Sequence, residues 1–230
     1  MGTEFWDRLW RSAGIQFVAL LVVAYFVYGD QPGVSASPDA LVSFYDGNRM
    51  RILIATFILG MALLNLLWFA AAIRGVLREA GQDGWGSAVT ASSAALGAVL
   101  FVLMTVDAAL AYRVASSGNQ ALVSGLNDLA WVCIVMTSFP RAMLIMAGTF
   151  GLWRAGVISN ALFGAGVAAV VLVLLGGTTW AAHGVWAPDG AYSRFVSPLL
   201  GVAWIVVVSA IILKRSAIAR TPDRAAVPQW

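Results

Sequence analysis

One arginine lies in the middle of a long apolar stretch. Arg141 directly follows Pro140 and is the only charged residue between positions 129 and 153. A charge at the centre of a bilayer costs roughly 2.5–3.5 kcal/mol on insertion scales, so such a residue usually faces a bundle interior. Pro140 leaves a backbone carbonyl free at the same depth. The pair predicts a polar pocket for an anion, a lipid headgroup or a proton path. The alternative is a guanidinium that is paired internally or reaches the interface.

Two carboxylates accompany this arginine. Asp107 lies in the preceding apolar segment and is the obvious partner for Arg141. With a helical rise of about 1.5 Å per residue, the two differ in depth by more than about 10 Å. A direct ion pair would therefore need helix tilt, the full reach of the arginine or an intervening water. Asp128 begins the next predicted helix, where the helix dipole favours a carboxylate.

Aromatic and polar residues gather at the predicted outer ends of the helices. They fit a belt at the membrane interface, or an outward-facing pocket walled by aromatics and oriented by charges. A lone His183 is a hydrogen-bond donor or proton carrier rather than a metal ligand. The candidate ligand-binding residues are Arg141, Asp107, Asp128, His183, Trp131, Trp180, Arg49 and Tyr45.

The composition indicates a membrane protein. Hydrophobic residues make up 60% of the chain and charged residues only 11%, whereas a soluble domain has about 25% charged residues. Cys133 is the single cysteine, so no intrachain disulfide can form, and one histidine cannot complete a usual zinc site. A formal net charge of +3 without a continuous basic face argues against nucleic-acid binding. We predict no metal, no cofactor and no catalytic residue.

These residues must be positioned by helices of bilayer length. We predict an all-α integral membrane bundle in a single domain, 1–214, followed by a short basic tail, 215–230, that contacts anionic lipid headgroups. Residues 29–50 form a polar connection between the first two spans. The six predicted spans are 9–28, 51–73, 87–112, 127–150, 161–182 and 195–213.

The distribution of basic residues predicts the orientation. With a cytosolic N-terminus, nine lysines and arginines fall on the cytosolic side and four on the outer side. This favours both termini in the cytosol. The cytosolic set is Arg8, Arg11, Arg74, Arg78, Arg154, Lys214, Arg215, Arg220 and Arg224, and the outer set is Arg49, Arg51, Arg113 and Arg194.

Four segments resemble a known family. They are SFYDGNRMR at 43–51, LWFAAAIRGVLR at 67–78, SFPRA at 138–142 and DGAY at 189–192. In this order they resemble a group of bacterial multi-pass membrane proteins defined only as a domain of unknown function. The resemblance implies a bacterial inner-membrane protein with several helices. It implies no activity and no catalytic residues.

Four functions remain open at this point. The first is binding or handling a small amphiphilic or lipid ligand in the outward-facing pocket. The second is a small proton- or ion-coupled transporter with Asp107, His183 and Arg141 as a relay. The third is an enzyme on a lipid or prenyl substrate with Asp107 and Asp128 as acid and base, which the lack of any catalytic motif disfavours. The fourth is an accessory subunit. Membrane lipids are the expected partners, and a homo-oligomer or a larger complex is left open.

Overall fold

The computed structural model describes residue 10 and residues 12–218. In this part of the chain, all regular secondary structure is helical, and turns and loops connect the helices. The all-α prediction is confirmed. The tail beyond residue 218 and the basic residues Arg8 and Arg11 lie outside the described residues. Within the described residues there are eight α-helices: α1 Ala13–Tyr28, α2 Pro38–Gly47, α3 Arg49–Glu79, α4 Asp83–Ala109, α5 Gln120–Met136, α6 Ser138–Arg154, α7 Asn160–Gly176 and α8 Ser197–Ile218.

Four helical segments are long and apolar enough to cross a membrane: Arg49–Glu79, Asp83–Ser117, Gln120–Arg154 and Tyr192–Arg215. The apolar helices α1 and α7 are shorter, with 16 and 17 residues. The length of the four segments follows from predominantly apolar sequence with few charged residues. α7 ends earlier than predicted, at Gly176, because Gly177 follows and glycine disfavours helix interiors.

The long helices form a ring in chain order. α1 packs against α3, α3 against α4, and α4 against both α5 and α6. α7 packs against α6 and α8, and α8 returns to α1. Buried apolar side chains fill the ring in two clusters, of which the smaller surrounds Tyr45 and Leu110 near one end of the bundle.

Helices α5 and α6 together form one rod of 35 residues, Gln120–Arg154, and they meet at Thr137. Next to this junction, Pro140 cannot donate a hydrogen bond to the carbonyl of Met136. The Thr137 amide donates to the carbonyls of both Cys133, at 3.0 Å, and Ile134, at 3.2 Å. This local tightening places Arg141 one turn beyond the interruption.

Residues 29–50 were predicted to form a polar connection. The structure differs, because this connection contains helix α2. Ser37 caps this helix by accepting a hydrogen bond from the Ala40 amide at 3.3 Å, and Pro38 occupies its first turn. α2 packs against α5 and against the turns after α4. We call residues 29–48 the capping segment and the end of the bundle that they cover the capped end.

Two π-helical turns, Leu110–Val114 and Tyr192–Val196, interrupt regular helix near the capped end. The first follows α4 and the second precedes α8. The sequence prediction treated both regions as regular helix or loop. π-turns often occur at functional sites because they redirect the side chains beside them, and Asp107 and Ser197 each lie close to one of these turns.

Candidate functional site

Arg141 lies inside a cluster of hydroxyl groups. Its Nη1 donates a hydrogen bond to Ser197 Oγ at 3.1 Å, and its Nη2 donates to Thr137 Oγ1. Both hydroxyl residues are buried, each with 1% of its surface exposed, whereas Arg141 itself is partly buried. The cluster therefore joins the break in the α5–α6 rod to the first turn of α8.

Two glycines allow the helices around Arg141 to approach closely. A Cβ atom at Gly201 would lie 2.7 Å from Arg141 Cδ, so the α8 backbone packs directly on the arginine side chain. A Cβ atom at Gly176 would lie 2.6 Å from Ser197 Oγ and 2.8 Å from the buried Ser138 Oγ. The end of α7 thus completes the pocket, and neither position has room for a side chain.

The guanidinium of Arg141 has no acidic neighbour among the described residues. In this part of the chain, the ion pairs within 4.0 Å join Arg74 to Asp83 and Arg194 to Asp30. Asp107, the partner considered from the sequence, does not bridge to Arg141. The positive charge is therefore hydrogen-bonded but not neutralised by a described side chain.

Asp107 occupies a second buried cluster, near the capped end. It retains 6% of its surface and interacts electrostatically with the phenols of Tyr28 and Tyr45. Two buried oxygens, Asp107 Oδ1 and Tyr28 Oη, lack a hydrogen bond of acceptable geometry from any described residue. Helices α1, α2 and α4 each contribute one residue to this cluster.

A network of amides and a phenol connects this cluster to the capping segment. Tyr45 Oη donates to Asn127 Oδ1 at 2.9 Å and accepts a hydrogen bond from Gln31 Nε2 at 3.2 Å. Tyr45 and Asn127 are fully buried, and Gln31 is nearly so. Burial, together with the negative charge of Asp107, raises the pKa of Tyr45. Tyr45 therefore remains a neutral phenol that can donate its proton to the amide.

Further contacts fasten the capping segment to the bundle. Trp131 is buried and its Nε1 donates to the Pro32 carbonyl at 2.9 Å. Asp189 Oδ2 accepts a hydrogen bond from the Val34 amide at 3.2 Å. Arg194 pairs with Asp30 and places its guanidinium 5.6 Å from the centre of the Trp131 ring. Of the residues predicted as a pocket wall, Tyr45 lies on the capping segment and Trp131 lies beneath it, and both are buried.

The other predicted site residues lie on the surface of the molecule. Asp128, His183, Trp180 and Arg49 are all exposed. Arg49 lies over the ring of Tyr112, 5.1 Å from its centre. The structure therefore brings together Asp107, Tyr45 and the neighbourhood of Trp131, and it places Arg141 in a separate cluster.

Sequence reasoning missed the hydrogen-bonding partners in both clusters. Gln31 was hidden in a segment interpreted as a polar connection, and Thr137 and Ser197 looked like ordinary small polar residues of a helix. Thr137 precedes Arg141 by one helical turn, and this spacing could have indicated a contact. Nothing in a single sequence indicates that Ser197, 56 residues away, packs against the same arginine.

A shallow apolar groove of about 570 Å³ lies between α3 and α4. Residues between Leu53 and Leu64, and between Phe101 and Ala108, form its walls. None of the predicted ligand-binding residues lines it. It is therefore distinct from both polar clusters.

A scan of protein-family models finds no match to this chain, and searches of the curated proteins and of the solved structures also find none.

Proposed function

We propose that this chain is a bacterial inner-membrane protein that crosses the bilayer six times and binds an anionic amphiphile, with the anionic headgroup at Arg141. The four long helical segments support the membrane location. At about 1.5 Å per residue, α1 and α7 measure roughly 24–26 Å. This is slightly less than the roughly 30 Å of a hydrocarbon core, a mismatch that bilayers accommodate. The bacterial compartment follows from the family resemblance expected from four segments, for which no family model matches.

The distribution of basic residues supports a cytosolic location for both termini. Basic residues lie near the carboxyl-terminal ends of α3, α6 and α8, all at the end of the bundle opposite the capped end. Four further arginines lie at the capped end. The excess at the uncapped end increases when the basic residues near the two termini are included, and cytosolic loops carry such an excess.

The observation that carries the proposed function is the uncompensated charge of Arg141. Guanidinium groups match the geometry of phosphate and carboxylate oxygens and form strong charge-assisted hydrogen bonds with them. The hydroxyl of Ser197 could also donate to an anion, whereas that of Thr137 already donates to the Ile134 carbonyl at 2.6 Å. Arg141 is only partly buried, so part of its surface remains available to a headgroup. Tyr45 on the capping segment and Trp131 beneath it are both buried, which favours Arg141 over the predicted outward pocket.

The experiment compares the stabilisation of purified protein by lipids in neutral detergent. We expect phosphatidylglycerol to raise the unfolding temperature of the wild type more than phosphatidylcholine does, because ligand binding stabilises the native state. Arg141→Gln should lose this difference. Arg49→Gln, which removes an exposed arginine, serves as the matched control and should retain it. Inorganic phosphate is tested in parallel to separate an amphiphile from a free anion.

Phosphatidylglycerol and inorganic phosphate distinguish two kinds of ligand. A rise in unfolding temperature with the lipid but not with phosphate supports an amphiphile, whereas equal rises with the two indicate a site for free anions and overturn this proposal. An equal stabilisation of the wild type and of Arg141→Gln by phosphatidylglycerol also refutes it.

A further inference from the structure

A buried carboxylate without a counter-charge lies near the capped end. Only 6% of the surface of Asp107 is exposed to solvent. Among the described residues, no arginine, lysine or histidine lies within 4.0 Å of it. A bare charge at this depth is costly, and natural membrane proteins neutralise such charges with a partner. The described part of the chain supplies no cationic partner.

The groups around Asp107 are oxygen-rich. Tyr28 from α1 and Tyr45 from α2 are the phenols that interact with it, and Cys133 from α5 is the remaining ionisable neighbour. Helices α3 and α6, which also pack near α4, present no charged side chain to Asp107 among the described residues. Phenol and amide oxygens are hard ligands, the type that small cations prefer.

The second independent observation is the pair of incompletely satisfied oxygens. Asp107 Oδ1 and Tyr28 Oη are both buried and both lack a hydrogen bond of acceptable geometry from the described residues, although the phenol and the carboxyl group lie close enough to interact with each other. Buried polar atoms in proteins are nearly always satisfied, so this incomplete contact requires an explanation. A cation bound between the two oxygens would complete the contacts of both and would neutralise the carboxylate.

We propose that Asp107, with Tyr28 and Tyr45, forms a binding site for a small monovalent cation, either a proton or a sodium ion. A proton would reside on the carboxylate as a carboxylic acid. A sodium ion would be coordinated by the carboxylate and the phenol oxygens, with the amide oxygen of Asn127 next in the network. The site is separate from Arg141 and does not depend on the proposed anion binding, because the two clusters share no residue.

The experiment is infrared spectroscopy of the purified protein, since a carboxylic acid and a carboxylate absorb at different frequencies. The Asp107 contribution is the band that disappears in Asp107→Asn. Asp128→Asn, which alters an exposed carboxylate, is the matched control. If the cation is a proton, the acid band of Asp107 should persist at neutral pH, where exposed aspartates are ionised, and should vanish only at alkaline pH. If it is sodium, replacing choline by sodium at constant pH and ionic strength should alter the carboxylate band.

The design does not depend on one variant. If Asp107→Asn does not fold, wild-type protein labelled with ¹³C at its aspartate carboxyls is titrated instead. The Asp107 carboxyl is then identified as the one whose acid proton exchanges slowly with the solvent, because it is buried. The carboxyls of the exposed aspartates exchange their protons quickly. Protonation at neutral pH, or a response to sodium, that is absent from Asp107→Asn, or is confined to this slowly exchanging carboxyl, supports the site. A carboxyl that is already ionised at neutral pH and does not respond to sodium overturns it.

Discussion

Removing a single hydroxyl from the buried network should destabilise the whole bundle. The perturbation is Tyr45→Phe. The hydroxyl of Tyr45 is fully buried, donates to Asn127 at 2.9 Å and accepts from Gln31 at 3.2 Å. Phenylalanine keeps the ring and its contact with Phe44, whose ring centre lies 5.1 Å away. The variant therefore removes hydrogen bonding without removing apolar packing.

The magnitude follows from the two hydrogen bonds. Each net hydrogen bond contributes about 0.5–1.5 kcal/mol, so the loss of both should cost about 1–3 kcal/mol. The Gln31 amide keeps only a long contact with Asn127 at 3.5 Å, which offsets little of this. For a chain of this length, 1 kcal/mol lowers the unfolding temperature by about 2–4 °C, so we expect a decrease of about 2–12 °C.

The single cysteine provides the assay. Cys133 is buried, with 7% of its surface exposed, so its reaction with a fluorogenic maleimide reports the opening of the bundle during heating. Tyr112→Phe is the control, because that residue has 62% of its surface exposed and its ring contact with Arg49 is retained. If Tyr45→Phe unfolds at the wild-type temperature, or if Tyr112→Phe shows the same decrease, the network does not stabilise the capped end as argued.

Two further predictions use the same thiol assay. Gly176→Ala should destabilise the protein by about 1–3 kcal/mol, the usual cost of overpacking, because the added methyl would lie 2.6 Å from Ser197 Oγ and 2.8 Å from Ser138 Oγ; an unchanged unfolding temperature would count against the close contact of α7 with α8. The destabilisations by Arg141→Gln and Asp107→Asn should add within about 0.5 kcal/mol in the double variant, as for independent sites, and a larger coupling would indicate an ion pair that the structure does not show.

Most of the helical architecture could be predicted from apolar segment lengths. The long runs around Leu63 and Leu100 permit little besides membrane-length helices. Helix α2 could not be predicted in this way, because it is short and its surface is polar. Its signals were local: Ser37 as a cap and Pro38 in the first turn. Those signals are weak by themselves, and α2 is stabilised largely by its packing on α5 and on the turns after α4.

The candidate sites were predictable only in part. Position in an apolar run identified Arg141 and Asp107 as anomalies, since a charge at membrane depth is costly whatever its neighbours along the chain. Their partners depend on which helices are neighbours and on how each is rotated, and a single sequence contains neither quantity. The aromatic residues illustrate the same limit, because Trp131 and Trp180 had equivalent positions in the sequence, yet Trp131 is buried and Trp180 is 49% exposed.

The separation of Arg141 from Asp107 has a geometric cause. Asp107 interacts with Cys133, and Arg141 lies eight residues further along the same rod, about 12 Å deeper at the usual helical rise. An arginine side chain cannot span this distance while it is held by Ser197 on α8. Had the two charges met, each would have neutralised the other and neither would need an external ion. Because they are held apart, each charge has only neutral hydrogen-bonding neighbours among the described residues, and the two proposed sites can be tested independently.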